Sequence, residues 1–93
     1  MKSWLLGVGL LLTNLTFGQT VQEGLHLMDR HQPSRAKQVF ENLVAAQPTG
    51  ENFFYLGYYH LNQRDWDNAR KAFDAGKAAE PKNFLNQVGI ASI

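Results

Sequence analysis

The side chains able to do chemistry are few and scattered. Three histidines, His26, His31 and His60, are the only candidate metal ligands besides carboxylates. A zinc site needs three or four converging donors, and His26 and His31, five residues apart, lie roughly 140° from each other on a helix. His60 reads as a packed or surface histidine. The string Asp65-Trp66-Asp67-Asn68 resembles the start of a calcium loop, but it lacks that motif's glycine and its later bidentate glutamate. Helix capping explains Asp65 better. A nucleophilic triad needs Ser or Cys beside a His that a carboxylate orients; cysteine is absent, and Ser34 and Ser92 fall at a turn and near the last residue. The acids are spread singly instead of in the apposed pair a glycosidase needs, and no phosphate-cradling glycine loop occurs. The sequence predicts no catalysis, no metal and no cofactor.

Charge and composition exclude a second class. Nine Lys and Arg stand against eight Asp and Glu, and setting aside Lys2 in the leading segment leaves eight against eight. Nucleic-acid binding rests on basic surfaces that release counterions from phosphates, and no basic cluster here is longer than Arg70-Lys71. No nucleic-acid partner is expected. Without cysteine, neither disulfides nor thiolate sites can hold the chain together, so packing of helices must do so.

Residues 1–18 read as a signal peptide, with Lys2 at the start, an apolar run from Trp4 to Leu12, and small residues at Thr16 and Gly18 before a cut at Gln19. A bilayer core needs about 20 apolar residues, and Thr13, Asn14 and Thr16 interrupt this run early. The expectation is a periplasmic or secreted chain with no stable membrane span after cleavage and no lipid-anchoring cysteine.

The elements that position the remaining side chains follow from repetition. Gly24, Ala36, Phe40 and Pro48 recur as Gly57, Ala69, Phe73 and Pro81, all at an offset of 33 residues, and Ala45-Ala46 recur as Ala78-Ala79. Repetition at this period means stacked helical hairpins. In the first, Val21, Gly24, Leu25, Leu27 and Met28 are spaced for one buried face. After the turn His31-Gln32-Pro33-Ser34, a second helix to about Gln47 buries Ala36, Val39, Phe40, Leu43 and Val44. Pro33 suits the first turn of that helix, and Pro48 with Gly50 ends it. The second hairpin repeats this with more aromatic surface, from Phe53 through Tyr59 to Trp66 and Phe73, turning near Arg64 and Asp65. A glycine inside a helix costs about 1 kcal/mol relative to Ala; Gly24 and Gly57 are expected to repay this by close approach of a neighbouring helix. Residues 84–93, with Phe84, Leu85, Val88, Ala91 and Ile93 apolar, read as one further helix.

The string from Phe53 to Pro81, with Leu56, Gly57, Tyr59, Asp65, Trp66, Ala69, Phe73 and Pro81 in register, resembles the tetratricopeptide repeat. Thr20 to Pro48 is a looser copy, with Glu23 in the place of Leu56 and Leu43 in the place of Gly76. The resemblance implies an all-α fold of tandem antiparallel hairpins, an α-solenoid with two repeats and a partial third helix pair. Its divisions are 1–18 as signal peptide, 19–48 and 49–81 as repeats, and 82–93 as the first helix of a truncated third repeat or a capping helix.

The resemblance also implies a function. First helices of such hairpins line a concave groove in which an extended peptide or a helix binds without chemistry. Carried over by position, the groove residues are Leu25, Met28 and Asp29 in the first copy, Phe54, Tyr58, Leu61 and Asn62 in the second, and Lys82 at the rim. Phe54 and Leu61 read equally as core. One version of the family grips a terminal carboxylate with lysines and asparagines; Val21, Leu25 and Tyr55 stand at those places, so carboxylate capture is not expected. The partner is a protein or peptide in the bacterial envelope or outside the cell. The alternative is the helical lead-in of a larger exported enzyme or envelope-assembly protein, with the activity encoded beyond Ile93. A chain complete at Ile93 is expected to cover residues 84–93 by forming a homodimer.

Overall fold

The computed structural model describes residues 19–93, and the expected signal peptide lies outside them. The described residues are all-helical: α1 Val21–Asp29, α2 Pro33–Ala46, α3 Gly50–Asn62, α4 Trp66–Ala79 and α5 Leu85–Ala91. None of these helices is long and apolar enough to cross a membrane.

Helix starts follow from local hydrogen-bonding demands. The Thr20 hydroxyl accepts from the Glu23 N–H at 3.1 Å, and the Thr49 hydroxyl accepts from the Asn52 N–H at 3.1 Å. The Asp65 carboxylate caps α4 by accepting from the Asn68 N–H at 3.3 Å. Each bond satisfies a donor that the first helical turn leaves open. Pro33 opens α2, where its missing N–H costs nothing.

The turns repeat as closely as the helices do. Both α2 and α4 have 14 residues, and their first and last residues are separated by the same 33 positions. After α1, the Gln32 N–H donates to the Leu27 carbonyl at 2.9 Å and the His31 N–H to that of Met28 at 3.0 Å. After α3, Asp65 donates to His60 at 2.9 Å and Arg64 to Leu61 at 3.0 Å, the same bonds one repeat later. This closure requires a left-handed residue, and His31 and Arg64 both sit at φ 58°. A left-handed residue with a Cβ costs roughly 1–2 kcal/mol. Arg64→Gly is therefore expected to stabilise the chain by about 1 kcal/mol after allowing for the flexibility glycine adds to the unfolded state. The readout is a higher urea midpoint at unchanged slope; a lower midpoint would mean that the Arg64 side chain makes a contribution this account lacks.

Two glycines explain how the paired helices meet. A Cβ on Gly24 would clash with the ring of Phe40, and one on Gly57 with the ring of Phe73. Each phenylalanine of a second helix thus packs directly on the backbone of the preceding first helix, and both rings are wholly buried. Ala36 and Ala69, also fully buried, keep the helices close one turn earlier. Between the pairs, the Tyr59 ring lies 6.3 Å from that of Phe40, and Leu56, Leu43 and Met28 pack on the same cluster. Of the first-helix residues expected to be buried, only Gly24 is fully so; Val21, Leu25, Leu27 and Met28 are half-buried.

α5 docks by a different rule. Its buried residues are Asn86 and Gly89, while Phe84, Leu85 and Val88 are exposed. Gly89 faces the Phe73 ring, and the Asn86 amide fills the space beside Gly76 that a side chain there would occupy. The Asn86 Nδ2 donates to the Gly50 carbonyl at 2.9 Å, and the Gly50 N–H donates to the Glu80 carboxylate. One residue, Gly50, thereby ties the start of α3 to the C-cap of α4 and to α5.

Candidate functional site: a cleft along the first helices

The first helices, α1 and α3, present their ends to one cleft of about 840 Å³, lined by Leu25, Met28, Asp29, His31, Pro33, Tyr58, Asn62 and Gln63. Two of these pairs are equivalent positions of the repeat: Leu25 with Tyr58, and Asp29 with Asn62, are each 33 residues apart. Of the residues named from sequence, Leu25, Met28, Asp29, Tyr58 and Asn62 come together here. Three do not. Phe54 is half-buried, its ring 5.8 Å from Phe73 and 6.5 Å from Tyr58, nearly parallel to the latter. It supports Tyr58 from behind. Leu61 is half-buried and Lys82 is exposed beyond α4, both outside the cleft lining.

Sequence reasoning missed His31, Pro33 and Gln63 as lining residues. All three belong to the hairpin ends, where the chain closes through left-handed residues at His31 and Arg64. The signal available was positional, since Gln63 and His31 directly precede and occupy the recurring closure. Tyr58 retains 39% of its surface exposed, so its ring offers a flat apolar face and its hydroxyl a hydrogen bond. Asn62 and Gln63 add amides that can both donate and accept.

The titratable groups with shifted behaviour, Tyr59, His60 and Asp65, lie together where α3 turns into α4. His60 is buried, and that burial holds its pKa below the usual value, outweighing the opposite pull of Asp65, whose carboxylate stands 3.8 Å from Nδ1. Tyr59 beside it is raised, first by burial and then by Glu41 and Asp65. Asp65 is lowered chiefly by its two hydrogen bonds from Asn68. These are the shifts of a packed helix junction. Among the described residues, no three His, Asp or Glu side chains converge to hold a metal ion.

A second cleft, about 490 Å³, opens along the α1–α2 hairpin and is lined by His26, Arg30, Gln32 and Arg35 among others. The Arg35 guanidinium donates to the Gln32 side-chain oxygen at 2.9 Å. Comparison of the chain with family models, with curated proteins and with solved structures gave no match.

Proposed function

We propose that this chain is a tetratricopeptide-type interaction module, a solenoid of helical hairpins that binds an extended peptide or a helix along its first helices and performs no chemistry. The observation that carries the reading is the cleft itself: equivalent residues of two successive hairpins, Leu25 with Tyr58 and Asp29 with Asn62, line one continuous surface. Recurrence of the turn bonds and of the glycine–phenylalanine contacts at the same spacing supports it. So does the exposed apolar set Phe84, Leu85, Val88 and Ile93, because a stacked repeat covers such a face with its next helix or with a second copy. The leading apolar segment supports export as the setting.

The partner's side chains would be buried against Leu25, Met28 and Tyr58, while Asn62 and Gln63 would hydrogen-bond its backbone. The test is an array of immobilised heptapeptides in which an apolar anchor (leucine, isoleucine, methionine or phenylalanine) and its neighbours are varied, probed with labelled protein. Tyr58→Ala is expected to lower binding about tenfold across the array, as truncation of a central aromatic does. An array that stays at background with the parent protein, or binding that is indifferent to Tyr58→Ala, would remove the reading.

A further inference from the structure

Resting on that reading of the cleft, we infer that it selects segments carrying a lysine or arginine within a few residues of the apolar anchor. The argument begins with how charge is divided at the first hairpin. Asp29 and Arg30 are neighbours in sequence, yet Asp29 lines the first cleft while Arg30 lines the second, together with Arg35. The first cleft is left with one carboxylate and no Lys or Arg among its lining residues. Asp29 has no salt-bridge partner among the described residues, where the ion pairs are His60 with Asp65 and Arg70 with Asp74.

Position sharpens this. Asp29 is the last residue of α1, and Asn62 is the last residue of α3. A helix C-terminus carries a partial negative charge and disfavours an acidic side chain, while it attracts a cation. Asp29 therefore stands where its own helix opposes it, and α3 directs a second C-terminus toward the same end of the cleft. A carboxylate and two helix C-termini give that end a negative potential, with no Lys or Arg among the lining residues to offset it. A lysine or arginine of a bound segment would relieve the mismatch at α1 and pair with Asp29, while the aliphatic part of its side chain lay along Tyr58. The described residues carry eight positive and eight negative side chains, so a preference for cations would come from this local field and not from net charge.

The same peptide array tests it at pH 8. Spots with lysine or arginine beside the anchor are expected to bind about fivefold better than their glutamine counterparts, and glutamate spots worse than either. Asp29→Asn should erase the difference, Asp29→Lys should invert it, and salt at about 0.5 M should flatten it in the parent. Circular dichroism checks that both variants keep the parent's helix content, as an exposed helix-end residue should allow. Binding that depends on Tyr58 but not on the neighbour's charge would overturn the inference and leave the cleft reading standing. A charge preference that survives in Asp29→Lys would overturn it too, by placing its source elsewhere. No binding to any spot would overturn both.

Discussion

Phe73→Ala is expected to leave the chain without a cooperative unfolding transition at room temperature. The Phe73 ring is fully buried and touches two other helices: it packs on Gly57 of α3 and Gly89 of α5, and its centroid is 5.8 Å from that of Phe54, also on α3. Truncating such a ring costs about 3–5 kcal/mol, because the lost transfer energy is compounded by a cavity that backbone on two sides cannot collapse to fill. Small domains hold only about 5–15 kcal/mol in total, and a short helical chain without disulfides belongs at the lower end. Far-ultraviolet circular dichroism against urea checks this directly. A variant that melts within a few degrees of the parent would mean that Phe73 is not a structural centre.

That position was legible in the sequence, and the reason is physical. A phenylalanine recurring at a fixed distance from a helical glycine leaves little else for either residue to do: the glycine destabilises its own helix, and the aromatic ring needs a surface to bury against. Both Gly24 with Phe40 and Gly57 with Phe73 proved to be such contacts. Turn chemistry was legible for the same kind of reason, through Pro33 and Asp65, whose backbone and side-chain preferences are local. Four of the five cleft residues named from sequence were reachable because equivalent positions of a repeat share a face; Met28 lines the cleft although its equivalent, Leu61, does not.

α5 was harder to place, since its fate is decided by its neighbours. The spacing of Phe84, Leu85 and Val88 describes an apolar face, and periodicity alone does not say whether anything covers it. The structure turns that face outward and buries Asn86, although its Oδ1 finds no hydrogen-bond partner. A buried polar atom left unpaired costs about 1–3 kcal/mol, and the bond from Nδ2 to the Gly50 carbonyl is what offsets it. Nothing in residues 84–93 announces this, because the space comes from Gly76 on α4 and the acceptor from Gly50 on α3. Similarly, His31 and Gln63 line the cleft from the hairpin ends, which helix periodicity does not place.

Gly57→Ala provides the second large expected effect, and its sign runs against helix propensity. Alanine should stabilise the middle of α3 by about 1 kcal/mol over glycine. The added methyl, however, would clash with the edge of the Phe73 ring, which Gly89 and Phe54 hold from other directions. Overpacking of this kind costs about 1–3 kcal/mol, and more where backbone forms the opposing wall, so a net loss of about 1–2 kcal/mol is expected. A double-mutant cycle with Phe73→Leu isolates the cause. Leucine lacks the ring edge that the methyl meets, so Gly57→Ala should cost little, or even stabilise, in that background, giving a coupling of at least about 1 kcal/mol. Strictly additive losses would place the damage in α3 itself and would break the link between the glycine and the phenylalanine on which the account of both hairpins depends.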